Sequence, residues 1–232
     1  MQVAVKYPSV LLAHAQRGDC VQQLARDLSV QVATILSVQA RASLLLPGGS
    51  SPQQLLPLLA AEPLEWARVD VSPTDERWVA ADAEQSNWRL LQQGLPAASC
   101  LDPRQADSAQ ASASLWADQL QARMPFAAVL LGMGEDGHIA SLFPGMPELA
   151  EALDLQAAPG ALCAQAPSEP RQRLSLNLPM LLQTQWLGLL AFGQSKKQLI
   201  DAVLADTPQS RALPLHALLM AGRLPLRIYW AP

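Results

Sequence analysis

Short apolar runs alternate with segments of helical period along most of this sequence, and that alternation constrains the fold more than any other feature. Residues 126–131 (FAAVLL) form the clearest run. A strand without a polar face is buried on both sides, which points to a parallel sheet covered by helices. Other runs stand at 44–46, closed by Pro47-Gly48-Gly49, and at 66–71, 162–166, 174–178 and 186–192, with a short closing one at 228–230. Between them, residues 20–42 carry Val21, Leu24, Ala25, Leu28, Val32 and Ile35 at the spacing of an amphipathic helix. Residues 52–61, 84–93, 110–122 and 195–205 read the same way. The expected fold is therefore α/β, a mostly parallel sheet flanked by helices. Residues 97–113, rich in Ala and Gln, read as a surface connection. With no repeat and no break in composition, 1–232 reads as a single domain.

Composition narrows the function classes. Half of the residues are hydrophobic and 16% are charged, as in an ordinary globular protein. The net charge of −4 repels anions, so an anionic substrate needs local Arg and Lys to hold it. No Lys/Arg run suggests nucleic acid. The opening MQVAVKYPSVLLAHA is too weakly apolar for a signal peptide, and no run approaches the roughly 20 residues of a membrane span. Cys20, Cys100 and Cys163 are odd in number and far apart, which disfavours a disulfide framework or a zinc site and suits reduced thiols in the cytoplasm.

Ligands of parallel α/β sheets bind beyond the carboxyl ends of the strands, and four polar clusters fall at such places. In Pro47-Gly48-Gly49-Ser50-Ser51-Pro52, glycines admit a ligand close to the backbone. Ser51 is the expected N-cap, with Pro52 in the first helical position and Gln54 completing a capping box. A helix opened in this way offers free N–H groups to a phosphate, or is simply a tight turn. Asp75-Glu76-Arg77, with Ser86-Asn87 beyond it, reads as a surface ion-pair cluster or as part of a site. Gly132-Met133-Gly134-Glu135-Asp136-Gly137-His138 follows the strongest strand. Its GxGxxG string is a poor dinucleotide fingerprint, because residues 141–145 (SLFPG) break any helix at once. His138 is the one histidine of three placed where a substrate would lie. Arg171 and Arg173, and Lys196 and Lys197 after the 186–192 run, place cations at the ends of apolar runs, with Lys197 the better surface residue.

Together these clusters resemble the 6-phosphogluconolactonase family. LPGGSSP resembles its phosphate loop, DERWV followed by SN its DER…SN segment, and LLGMGEDGHIASLFPG its most diagnostic string; RQRLSLNLP and FGQSKK are similar to its Arg and Lys segments. The chain departs from the family pattern at Ala80, Ala83 and Ser168-Glu169-Pro170, which bears on affinity more than on reaction. The resemblance implies a Rossmann-like fold related to glucosamine-6-phosphate deaminase, no cofactor and no metal. It also implies a sugar-phosphate lactone as substrate; the composition adds no nucleic-acid or membrane partner, and a monomer or weak dimer is expected. It carries Gly48, Gly49, Ser50, Ser51, Asp75, Asn87, Gly132, Gly134, Arg173 and Lys196 over as substrate and phosphate contacts.

Lactone hydrolysis needs a base for water, a receptor for the tetrahedral oxyanion and an anchor for the remote phosphate. An imidazole, with a reference pKa of about 6.5, suits the first task. His138 is the expected base, with Asp136 orienting it. Either the 132–137 amides or Arg77 is positioned to receive the oxyanion. A serine esterase is disfavoured, since no GxSxG elbow occurs. A deaminase of the related family would carry a Glu where Phe143 stands, and a phenyl ring relays no proton. A sugar-phosphate-binding regulator would not need the Asp136–His138 pair, and no helix-turn-helix segment is evident.

Overall fold

The computed structural model describes residues 9–232; the question of a leader at residues 1–8 lies outside them. Seven strands form the main sheet: β1 (Val10–Ala13), β2 (Ala42–Leu46), β3 (Val69–Pro73), β5 (Ser99–Cys100), β6 (Ala128–Gly132), β9 (Leu187–Phe192) and β10 (Leu226–Ala231). Their order is β1-β10-β9-β6-β2-β3-β5, and every pairing is parallel. The expected α/β class is therefore present, with helices on both faces. α1 (Arg17–Leu36), α2 (Ser50–Ala60) and α3 (Asn87–Gly94) cover one face. The other is covered by α4 (Ala109–Gln121), the short α6 (Leu178–Leu181), α7 (Gln194–Leu204) and α8 (Pro214–Ala221), with α5 (Leu149–Leu153) nearby.

Strand β6 shows why an unbroken apolar run was required. Ala128 and Leu130 pack into the cluster with α1 and α2, while Val129 and Leu131 pack into the one with α4 and α8. Alternate side chains of a strand point to opposite faces, so both faces of the central strand must be apolar. All four of these residues are fully buried, and each buried Val or Leu stabilises the fold by roughly 1.5–3 kcal/mol.

The sequence reading fails at the second sheet. Residues 162–166 and 174–178, expected in the parallel sheet, belong instead to β7 (Ala161–Gln165) and β8 (Gln172–Leu176). With β4 (Asp75–Arg77) these form a separate antiparallel sheet in the order β4-β8-β7. The short connection between β7 and β8 is the physical reason: a hairpin loop can only return the chain antiparallel, whereas a parallel neighbour needs a crossover of a dozen or more residues. Other differences are smaller. Residues 66–71 begin as a 3₁₀ turn at Trp66–Arg68 before β3 starts, and β1, β4, β5, α5, α6 and α8 have no counterpart in the sequence reading.

At the amino ends of β2 and β3, Asp70 accepts hydrogen bonds from Arg41 Nη2 (2.6 Å) and Arg123 Nε (3.2 Å). Burial pushes the Asp70 carboxyl up, but the two guanidiniums outweigh it and hold it below its ordinary value. This end of the sheet carries satisfied ion pairs. The opposite end is open.

Candidate active site

The main sheet reverses its winding between β6 and β2: β3 and β5 lie beyond β2 on one side, β9 and β10 beyond β6 on the other. Loops diverge at such a switch point and leave a crevice at the carboxyl edge. The crevice is occupied here by the loop from β2 into α2 and the loop after β6. It encloses about 240 Å³, a little under the roughly 300–1,000 Å³ that drug-sized ligands fill, and so has room for one small polar molecule.

One wall is the phosphate-loop candidate. Gly48, Gly49, Ser50 and Ser51 line the cleft where α2 begins. The expected capping box is absent. Gly49 is the N-cap and Ser50 already helical, so the helix starts two residues early and Ser51 lies inside its first turn; no side chain caps it. The first amides of α2 are thus left without side-chain acceptors beside the cleft, where the helix dipole is positive. Lys196, in the first turn of α7, lines the cleft and forms no ion pair among the described residues. Lys197 instead pairs with Asp201 at 2.7 Å, as a surface residue would.

The opposite wall is the loop after β6, with Gly132, Gly134 and His138 on the cleft. Asp136 Oδ1 lies 2.6 Å from His138 Nδ1 and also accepts the His138 backbone N–H. With Nδ1–H donating to Asp136 Oδ1, Nε2 is the acceptor nitrogen of the neutral tautomer. A Cβ on Gly134 would come within 2.2 Å of the imidazole, so the loop closes this tightly only with glycine there. The loop is tied on three sides. Gly134 N–H donates to His138 O, Leu215 N–H donates to Gly137 O, and Ser141 Oγ donates to Asp75 Oδ2 at 2.6 Å. The ring of Phe143 lies 4.6 Å from the His138 ring, centroid to centroid.

The third side comes from the small sheet and α3. Asp75, Arg77 and Asn87 line the cleft. The Arg77 guanidinium donates from Nη1 to Gln85 O (2.7 Å), while its Nε is buried without a partner. Asn87 Nδ2 donates to Asp75 O, and a Cβ on Gly48 would fall 1.8 Å from Asn87 Oδ1, so the backbone of one wall touches the side chain of the other. Arg173 does not line the cleft. It begins the buried part of β8, directly across the strand pair from Arg77. Burial first, then Arg77 beside it, hold its guanidinium below the ordinary value, against the pull of Asp75 and Glu76.

Sequence reasoning treated Asp75-Glu76-Arg77 as a possible surface cluster; Asp75 and Glu76 are buried. It missed Ser141 and Arg104 altogether. Ser141 is inside the diagnostic string and was legible there as a polar residue among apolar neighbours. Among the described residues, no group of three or more His, Cys, Asp or Glu side chains is placed to hold a metal ion.

Residues 15–228 match the family model described as glucosamine-6-phosphate isomerases/6-phosphogluconolactonase. The chain belongs to this family. Family membership makes it an enzyme, and its relatives lie on the hydrolase side. It is 37% identical to a 6-phosphogluconolactonase of Pseudomonas putida, over 98% of this chain and 96% of the relative. It is 36% identical to one of Caulobacter vibrioides, over 97% and 98%. A crystal structure of a 6-phosphogluconolactonase from Shewanella baltica superposes with a TM-score of 0.89 at 30% identity, covering 99% of this chain and all of that one. A monomeric glucosamine-6-phosphate deaminase shares the fold at a TM-score of 0.75 and 18% identity.

Proposed function

We propose that this enzyme hydrolyses 6-phospho-D-glucono-1,5-lactone to 6-phospho-D-gluconate in the oxidative pentose phosphate route, as a single cytoplasmic domain and without a metal or other cofactor. The observation that carries the reading is the Asp136–His138 pair facing, across one small cleft, the uncapped start of α2 and the unpaired Lys196. That arrangement separates a proton acceptor from an anion receptor, as a lactone with a remote phosphate requires.

In this reading Nε2 of His138 takes a proton as water attacks the C1 carbonyl. The imidazolium, held by Asp136, returns that proton to the ring oxygen as the C1–O bond breaks, and the product carboxyl ionises to solvent. Amides of the 132–137 loop or the Arg77 guanidinium receive the oxyanion. The phosphate lies against Gly48, Gly49, Ser50 and Ser51, with Lys196 above it. Arg173 adds positive potential behind Arg77, and Asp75 and Asn87 hold sugar hydroxyls. Anchoring the phosphate supplies binding energy that positions C1. Phe143 packs on His138 where a deaminase would need a carboxylate, which favours hydrolysis over amine chemistry.

The test follows the appearance of 6-phosphogluconate from fresh lactone with a coupled dehydrogenase. A rate no faster than spontaneous hydrolysis would sink the proposal. His138→Ala should lower kcat about 10²–10⁴-fold while product still binds, and near-normal turnover would remove His138 from its role.

A further inference from the structure

Behind the cleft lies a buried charged cluster that the chemistry above does not use. Glu76 is fully buried, and its two oxygens accept four hydrogen bonds and face one guanidinium. Oε1 accepts from the backbone N–H of Arg77 (2.7 Å) and of Asn87 (2.8 Å). Oε2 accepts from Trp88 N–H (2.7 Å) and Ser86 Oγ (3.1 Å). Arg104, from the segment between β5 and α4, places Nη1 3.1 Å from the same Oε2. Its Nη2 donates to Ser86 Oγ and lies 3.0 Å from Asp102, and its guanidinium lies over the Trp88 ring. Neither Glu76 nor Arg104 lines the cleft.

What this cluster holds does line it. Glu76 fixes the backbone of Arg77 on one side and of Asn87 on the other. The Arg77 guanidinium is aimed by Gln85 O, and the next residue, Ser86, is gripped by both Glu76 and Arg104. Burial pushes the Glu76 carboxyl up, against the pull of the amides and Arg104, so an ionised Glu76 depends on these partners.

We propose that the Glu76–Arg104 pair is the positioning device of the site, and that Arg104 acts on substrate solely through Arg77 and Asn87. This rests on the assignment of Arg77 and Asn87 as substrate-facing groups. Small misplacements of such groups cost catalysis without any change in the groups themselves.

A double-mutant cycle on full-length enzyme separates positioning from mere structure. Arg104→Lys keeps a cation for Glu76 but not the second donor for Ser86; it should fold with a melting temperature near that of the parent and lose about tenfold in kcat/KM on the phosphorylated lactone. In an Arg77→Ala/Asn87→Ala background the same change should cost under about twofold, since residues acting through one another are non-additive. Arg104→Met should behave alike, with a larger loss. Where it folds poorly, Arg104→Lys alone decides. Equal losses in both backgrounds, or full activity in Arg104→Lys, overturn the inference and leave the lactonase reading intact. A parent enzyme that does not accelerate lactone opening overturns that reading instead.

Discussion

Of the helices that begin at the cleft, α2 and α3 have amino termini treated in opposite ways. The first turn of α3 is filled: Glu76 accepts the N–H groups of Asn87 and Trp88, and Ser86 caps Arg89 N–H at 3.1 Å. The first turn of α2 is bare, with a glycine cap and no side-chain acceptor. Helix amides and the dipole behind them attract negative charge wherever they are exposed. A protein carboxylate answers that demand at α3 and makes a rigid support. At α2 the demand is left for a ligand. In the proposed reading, one physical device thus serves structure on one side of the cleft and binding on the other.

If the filled terminus is structural, removing its charge should be the most costly change. Glu76→Gln removes the buried one of the two carboxylates beside Arg104, leaving only Asp102, and sets an amide N–H against backbone donors. The expected loss is about 3–5 kcal/mol of folding stability, measured by urea unfolding. A neutral substitution would mean that α3 does not rely on its plug. The bare terminus calls for the reverse signature. Lys196→Ala should leave stability near the parent value and cost about 1.5–3 kcal/mol in kcat/KM on the phosphorylated lactone. That penalty should shrink sharply on unphosphorylated gluconolactone; equal losses on both would place Lys196 outside the phosphate site.

The caps themselves sharpen the contrast at smaller scale. Ser86→Ala removes a working N-cap and should cost about 0.5–2 kcal/mol of stability. Ser51→Ala removes no cap and should leave the unfolding midpoint unchanged; a shift comparable to that of Ser86→Ala would show that both helices depend on a serine. The smallest expected effect concerns Asp70, whose carboxyl answers guanidiniums instead of helix amides. Its folded pKa lies below the unfolded one, so its contribution is present above about pH 3.9 and lost as pH falls through the folded value. Unfolding midpoints followed from pH 6 to pH 2 should fall less steeply in Asp70→Asn than in the parent. Parallel curves would mean that the two arginines do not stabilise the ionised form.

The parts of this arrangement that could be read from sequence are those with a local signature. Residues 126–131 announce a strand buried on both faces because period and composition are local properties. The glycines around Asp136 and His138 announce a sharp loop for the same reason. The plug at α3 has no such mark, since Glu76 and Arg104 are brought together by folding across 28 positions of chain (104 − 76). The small antiparallel sheet escaped because β4 has three residues and its partner β8 lies about a hundred positions later. Ser51 misled because a Ser-Pro pair does mark helix starts in general, and only the backbone at Gly49 decides which residue caps.

The loop that carries His138 is pinned to α8 through Leu215, to the small sheet through Asp75, and to itself through Gly134. A wall so constrained leaves little room for evolutionary or designed retuning, since even one methyl group at Gly134 collides with the imidazole. Adaptation to sugars of other shape must therefore arise on the facing side. Residues 78–85 follow Arg77 on that side without helix or strand, and Ala80 stands exposed among them. Diversity in substrate range among enzymes of this architecture should accordingly accumulate in that segment while the histidine loop stays the same.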